Sequence, residues 1–560
     1  MPVPRFRSGW RGCWISGRCE AAPAGDWGYG HVRRTMKGRF SLLGSTLRIS
    51  ILTLGSRILG FVRDVVLAHA FGAGPVMDAF LVAFKIPNFF RRLFAEGAFA
   101  QAFVPVLSEA KVKEGREGAV VVIGEAGSAL ALVLLALTAL AVVGAPWVVV
   151  LFAPGFAHDA TQRALAAGLL QITFPYLLLI SLTALAGSAL NTFGRFAVAA
   201  AAPMILNATL IAGALLAERL SGIHTLAWCV PLAGALQLLW HVPFLYRLGL
   251  LPRPRLHVHR GPIQRIVTIM VPALFGASVA QLNLLVDTIV ASLLAAGSIS
   301  WLYYADRLME FPLGIFGIAI GTVILPSLAT EHAAAEQRRF ADLVRWGMEL
   351  SLLVGLPAAI GLMALANPIM HTMFASQRFS PHDVAMAAAA LQTYAFGLPG
   401  FFLVKVLVPA FYARQKTREP VTIGVVAVLC NTFLSLAVVL PLARHGAHAP
   451  HALLALGTSI SAYIQAGALY WWLRRGGVHP FADGQGVGLA RVALGCGALG
   501  AAMAAEAALR HGGHLQLGAD SIPGLVLWIL LGAACYGGVL LLSGLRLHHL
   551  QGPLPRHDGL

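Results

Sequence analysis

The chain has 560 residues, 58% of them hydrophobic and 12% charged, with 41 Lys and Arg against 24 Asp and Glu for a formal net charge of +17. So apolar a composition over this length excludes an ordinary soluble globular protein and makes a bundle of membrane-spanning helices the default. Much of the positive balance sits in short segments between apolar runs, which points to membrane orientation and contact with anionic lipid, and not to nucleic acid.

Residues 1–36 are rich in Arg, Gly and Trp, show no helical periodicity and lack the apolar stretch of a signal peptide. They read as a basic, disordered extension reaching to about residue 40, or as sequence upstream of a natural start at Met36. Cys13 and Cys19 lie here, while Cys229, Cys430, Cys496 and Cys535 are scattered without CxxC spacing, so neither a metal site nor a disulfide framework is indicated. The chain also carries no Gly-rich phosphate loop, nucleophile elbow or HExxH motif.

At about 20 apolar residues per crossing, the remainder divides into about 14 transmembrane helices. The first seven fall near 43–72, 76–107, 118–153, 164–190, 196–217, 224–246 and 266–296. The second seven fall near 299–329, 343–373, 384–413, 420–443, 450–473, 488–509 and 521–545. The long run 118–153 has room for a break at Pro146. No connection is long enough for a soluble domain, so function must reside in the membrane or at its faces. Alternate loops differ sharply in charge: eighteen Lys and Arg, among them Lys111, Lys113, Arg253, Arg255, Arg338, Arg339, Lys416 and Arg474, stand against Arg163, Arg219, Arg378, Arg444 and Arg510. Cytoplasmic loops retain basic residues, so both termini are expected in the cytoplasm.

The first two crossings carry Arg57, Arg63, Asp64, Asp78, Lys85, Arg91, Arg92 and Glu96. Each charge near mid-bilayer costs roughly 2.5 to 3.5 kcal/mol, so these residues imply a wet, protein-lined and mostly cationic chamber. On a helical wheel Arg57 and Asp64 share a face, with Gly60 leaving room for a large partner, while Arg63 points elsewhere. Asp78, Lys85, Arg92 and Glu96 form a second stripe, and Pro87 with Asn88 is expected to interrupt that helix where it lines a cavity. For Asp64 the alternative is simple neutralisation of a neighbouring arginine, and for Arg91 and Arg92 it is snorkelling to the interface. In the eighth crossing Tyr303, Arg307, Glu310 and Gly314 follow one face, with Asp306 off it as a structural partner. Asp287, Lys405 and Glu506 read as isolated intramembrane ions.

The two halves echo each other. Asp64-Val65-Val66-Leu67-Ala68 precedes Gly74 as Asp287-Thr288-Ile289-Val290-Ala291 precedes Gly297, and each is followed by a further crossing ending in a proline and an acid, Pro105 to Glu109 and Pro326 to Glu331. Such a faint repeat suits two six-helix lobes with a site between them.

The runs GSRILGFVRDVVLAHAFGAGPVMDAFLVAFKIPNFFRRLFAEGAFAQAFVPVLSE, FPYLLLISLTALAGSALNTFGRF and SWLYYADRLMEFPLGIFGIAIGTVILPSL closely resemble the MurJ (MviN) family of bacterial lipid II flippases, from about residue 40 to the C-terminus. That family belongs with the multidrug, oligosaccharidyl-lipid and polysaccharide exporters. The resemblance implies an all-α polytopic membrane protein with two six-helix lobes around a central cavity, here 41–247 and 248–475, followed within 476–560 by two helices that form a groove for a polyprenyl tail. It implies a transporter and not an enzyme, needing no cofactor, in the bacterial inner (cytoplasmic) membrane. It would flip lipid II, a disaccharide-pentapeptide joined by pyrophosphate to undecaprenol, to the periplasmic leaflet for peptidoglycan synthesis. The family's essential cavity positions fall on Arg57, Arg63, Asp78, Arg91, Arg307 and Glu310, and its other cavity-lining positions on Ala68, Asn88 and Ser300. Some members bind sodium; Asp287 and Asn431 match that site, with Ser435 where a second acid is expected. A coupling ion or the membrane potential would supply the energy. Expected partners are lipid II, anionic membrane lipids and other cell wall synthesis proteins. The alternatives are a flippase for another polyprenyl-linked glycan and an ion-coupled drug exporter, which would need neither the two added helices nor so many cavity arginines.

Overall fold

A computed structural model of the chain describes residues 28–92, 99–251, 260–334, 336–481, 488–511, 519 and 521–546. Among these the regular structure is entirely helical. Residues up to Ile51 form one unit and Leu52 onward the other. The first helix, α1 (Gly28–Phe71), begins well before the expected 43. Helix α1 thus takes in the stretch 28–40, part of the expected N-terminal extension. Residues 1–27, with Cys13 and Cys19, lie outside the described residues, as does Glu96.

Gly72 adopts φ +69° at the end of α1, and the chain turns into α2 (Pro75–Arg91), whose proline occupies the first turn where its missing N–H is harmless. The second crossing is thus α2 followed by α3 (Phe99–Lys113). Next come α4 (Gly115–Val143) and α5 (Ala145–Phe152), separated at Gly144 with Pro146 opening the second piece, where the sequence placed a break. A 3₁₀ turn, Pro154–His158, leads to α6 (Ala160–Thr173), capped by the Asp159 carboxylate, and on through Pro175 to α7 (Tyr176–Thr192). Helices α8 (Phe196–Ala217) and α9 (Ile223–Leu248) complete the first half. The second half contains α10 (Arg260–Ser292), α11 (Ser298–Ala333), α12 (Gln337–Ala364), α13 (Ala366–Phe374) and α14 (Pro381–Ala413). It continues with α15 (Arg418–Leu434), a π turn at Ser435–Val439, α16 (Leu440–Arg444) and α17 (Pro450–Arg475). Helices α18 (Leu489–His511) and α19 (Ile522–Leu542) pair with each other, and α18 lies against α12.

Ten helical stretches among the described residues are long and apolar enough to cross a membrane. The four other expected crossings fall on α1, α2 with α3, α10 and α11, the helices that carry most of the intramembrane charge. Helices α2 and α6 to α9 pack largely among themselves, and α14 packs against α11, α12 and α17. The two halves meet where α3 touches α10 and α2 touches α11.

Prolines inside these helices free carbonyls that hydrocarbon cannot hydrate. Pro87 leaves the Ala83 carbonyl without its helical donor, and the Thr173 hydroxyl of α6 donates to it at 2.9 Å. The expected interruption at Pro87 is therefore absent, and α2 runs on to Arg91. Pro357 likewise frees the Leu353 carbonyl of α12, which accepts from the Tyr536 hydroxyl of α19 at 2.7 Å. Replacing Thr173 with Val, nearly the same in shape, should lower thermal stability in detergent by about 1–2 kcal/mol, while Ser at this position retains it. Equal unfolding temperatures for the Val and Ser variants would show that the Ala83 carbonyl has another partner.

Candidate functional site

In the last third of α1, Arg63 and Asp64 are both buried. Arg63 Nε and Nη2 donate to Asp64 Oδ1 at 2.9 and 2.7 Å, Nη1 donates to Asn207 Oδ1 of α8 at 2.9 Å, and Nη2 donates to the Tyr303 hydroxyl of α11 at 3.1 Å. Tyr303 in turn donates to Asp64 Oδ1 at 2.8 Å, so one phenol joins the two halves. The wheel paired Asp64 with Arg57, but a wheel gives the direction of Cβ and not the reach of a long side chain; Arg63 folds back onto its neighbour. The space beside Gly60 is filled by Asn207, whose Nδ2 would stand 3.4 Å from an added Cβ. Arg57 is exposed and does not line the central cavity. Its guanidinium occupies the place that a side chain at Gly314 would take, so Gly314 seats Arg57 across the α1–α11 boundary.

Between the halves lies a cavity of about 370 Å³. Arg63 and Leu206 contribute from α1 and α8, and Phe84, Lys85, Asn88, Phe89 and Arg91 from α2, with Arg92 next in the chain. The opposite wall is Asn283, Asp287 and Thr288 of α10, Tyr303, Asp306, Arg307 and Glu310 of α11, Tyr394 of α14 and Thr458 of α17. Five cations, Arg63, Lys85, Arg91, Arg92 and Arg307, thus face three acids, Asp287, Asp306 and Glu310. The face expected on α11 forms as a wall because Tyr303, Arg307 and Glu310 sit at i, i+4 and i+7. Asp306, expected off that face, lines the cavity too and reaches Arg307 Nη2 at 3.5 Å. Arg307 Nη1 donates to Glu310 Oε2 at 2.7 Å, its guanidinium lies 5.2 Å from the Tyr303 ring centre, and its Nε is buried without a hydrogen-bond partner. Arg91 and Arg92 face the cavity rather than snorkelling away from it. Arg91 Nε donates to Asn88 Oδ1 at 3.0 Å, and Asn88 Nδ2 donates to the Phe84 carbonyl at 2.8 Å.

Asp287 is not isolated. Asn431 Nδ2 donates to Asp287 Oδ1 at 3.0 Å and to Asn283 Oδ1 at 2.8 Å, and Thr458 donates to Asp287 Oδ2 at 3.2 Å. Asn431 Oδ1 and Ser435 Oγ are buried without hydrogen-bond partners. Of the other two expected isolated ions, Lys405 is exposed on α14 and Glu506 is buried in α18.

Asp78 and Ser300 do not line the cavity; they close one end of it. The Asp78 carboxylate accepts from the Gly297 N–H at 2.7 Å, the Ser300 N–H at 2.8 Å and the Ser300 hydroxyl at 2.6 Å. An anion at the orphan N–H groups that begin α11 is electrostatically favoured, so α2 is pinned to the start of α11. At the same end Arg378 donates to the Ala70 carbonyl and, at 2.9 Å, to Glu218, while the Gly155 N–H donates to Ser292 Oγ at 3.1 Å. Ala68 is fully buried in the main apolar cluster and is likewise not a cavity wall. At the opposite end Glu109 of α3 pairs with Arg265 of α10 and, at 2.7 Å, with Lys113. These contacts tie the two halves together at both ends of the cavity, and in this arrangement Asp78 and Ser300 are hydrogen-bonded to each other.

Sequence reasoning missed Asn207, Asn283, Tyr394 and Thr458. Asn207 alone carried a usable signal, as the only charged or carboxamide side chain in the 22 residues of α8.

A family model described as lipid II flippase MurJ matches residues 67–512. A probable lipid II flippase MurJ from Haemophilus influenzae is 42% identical over 514 residues, covering 89% of this chain and 99% of its own. A lipid II flippase MurJ from Burkholderia cenocepacia is 40% identical over 450 residues, covering 79% and 86%. Among solved structures, a lipid II flippase MurJ in an inward closed conformation superposes with a TM-score of 0.75 at 25% identity, covering 88% of this chain and 98% of that one. An inward-facing multidrug resistance MATE transporter of the MOP superfamily shares the fold, with a TM-score of 0.61 at 12% identity, over 77% of this chain and 99% of its own. By family match, identity and coverage together, the chain belongs to the MurJ family of lipid II flippases.

Proposed function

We propose that this protein carries lipid II across the membrane by passing its headgroup through the cavity between the two halves while the polyprenyl tail stays in lipid. The observation that carries this is the cavity itself: five cations gathered between apolar helices, with guanidinium groups from both halves. A pyrophosphate is the part of lipid II that hydrocarbon excludes most strongly, and arginine offers it planar, paired donors. Arg63, Arg91 and Arg307 are the diphosphate ligands, and the unmatched Arg307 Nε–H is a donor ready for an oxygen. Arg57, seated at Gly314 on the boundary between α1 and α11, meets the headgroup on its way in.

At about 370 Å³ the cavity is at the lower end of the range for small-ligand sites and too small for a disaccharide bearing five amino acids. Transport therefore requires the ends to open in turn, the Asp78–Ser300 and Arg378–Glu218 contacts at one end and Glu109–Arg265 at the other. The excess of Lys and Arg in the loops at the Glu109 end supports the reading that this end faces the cytoplasm and the Gly72 end the opposite side. Loss of one set of contacts costs less when substrate binds better to the state that lacks it. Other cell wall synthesis proteins would deliver and consume the lipid, and anionic lipids would face the basic loops.

Asp287, Asn431, Thr458 and Ser435 supply one carboxylate and several neutral oxygens, two of them buried and unmatched. That donor set fits a hard monovalent cation such as sodium, whose charge would offset Asp287 in the cavity wall. The membrane potential is the other energy source for the cycle.

In vesicles with labelled lipid II, Arg63→Ala, Arg91→Ala and Arg307→Ala should each reduce flipping at least a hundredfold with normal membrane levels. Normal flipping by all three would remove the cationic cavity as the route. Imposing sodium gradient and potential independently should show sodium-stimulated flipping that Asp287→Asn abolishes. Equal rates with and without sodium in the unaltered protein would leave the potential as the driving force.

A further inference from the structure

Helix α8 contains one side chain that an apolar crossing would not choose. Asn207 is 6% exposed, and both ends of its amide are used. Nδ2 donates to the Ser56 carbonyl at 3.1 Å, and Oδ1 accepts from Arg63 Nη1 at 2.9 Å. The amide can stand only this way round, since a guanidinium has donors alone and would oppose an amide nitrogen. Four of the five Arg63 N–H groups are thereby accounted for: Nε and one Nη2 on Asp64, one Nη1 on Asn207, one Nη2 on Tyr303.

These partners divide between the halves. Asp64 and Asn207 belong to the same half as Arg63, whereas Tyr303 belongs to α11 in the other. We propose that Asn207 is a positioning residue that holds the Arg63 guanidinium on the α1–α8 wall, so that when α11 moves away only the Tyr303 contact is lost and the freed Nη2–H meets a diphosphate oxygen. Arg63 then exchanges a phenol for a phosphate oxygen without searching for its orientation, which removes an ordering cost from binding. Arg91 is held in the same fashion: Asn88 gives its Nδ2–H to a backbone carbonyl and accepts from Arg91 Nε through Oδ1. Two arginines on one half are thus aimed by two asparagines, each fixed to backbone. Asn207 does this from a separate helix and does not itself line the cavity, so its effect on a bound headgroup passes through Arg63.

This inference rests on Arg63 contacting the diphosphate. The test measures lipid II affinity of the purified full chain in nanodiscs for the unaltered protein, Asn207→Leu, Asn207→Gln, Arg63→Ala and the Asn207→Leu/Arg63→Ala double variant. Asn207→Leu should weaken binding about tenfold, the size expected for one hydrogen bond to a charged group. Asn207→Gln, which keeps a neutral acceptor, should restore most of it. In the Arg63→Ala background Asn207→Leu should change affinity less than twofold, since a residue acting through Arg63 has nothing left to position. An unchanged affinity for Asn207→Leu, or an equal loss in both backgrounds, overturns the inference while Arg63→Ala still binds poorly. Normal binding by Arg63→Ala overturns the role of Arg63 itself, and the inference with it. Should Asn207→Leu not accumulate in membranes, Asn207→Ser removes the acceptor with a smaller change and takes its place in the same cycle.

Discussion

Hydrocarbon does not tolerate an unpaired charge, and the arrangement of this protein follows from that constraint. Helices α1, α2, α10 and α11 place Arg63, Lys85, Arg91, Asp287, Asp306, Arg307 and Glu310 around one shared cavity, and the more apolar crossings supply much of the exterior. The result is a chamber whose charge is unbalanced toward cations even after Asp287, Asp306 and Glu310 are counted. A net positive charge in so apolar a surrounding favours water or an anionic guest beside it.

The same electrostatics serves to close the ends. Asp78 satisfies the first N–H groups of α11, a contact made by backbone and hydroxyl and not by a countercharge. It can therefore release without stranding a cation. Glu109 and Arg265 at the other end are partly exposed, where an ion pair is weak and readily exchanged for water. The Tyr303 phenol between them touches both Arg63 and Asp64, so the centre of the chamber registers the approach of the two halves.

Much of this was legible in the sequence, for physical reasons particular to each residue. Tyr303, Arg307 and Glu310 share a wall because helical periodicity is local and needs no knowledge of neighbours. The charged crossings declared a cavity because the cost of burying ions does not depend on the fold. Arg57 and Arg63 exchanged expected roles, since side-chain reach and the absence of a Cβ at Gly314 are tertiary facts. Asp78, Ser300 and Ala68 match cavity positions by resemblance yet are closed off here, because a site that opens and shuts has no single set of lining residues. Pro87 looked like a break because the donor that repairs its helix, Thr173, is 86 positions away in sequence. Neutral groups such as Asn283 and Thr458 gave little warning: an amide or hydroxyl costs far less than an ion, and one of them is unremarkable until its partner is seen.

The bond from Tyr536 to Leu353 has a mechanical meaning beyond repairing a proline gap. It rivets the terminal pair of helices to α12, which packs on α14 and so on the half that carries Arg307. Any displacement of that half therefore carries the terminal pair with it, like an outrigger fixed to its hull.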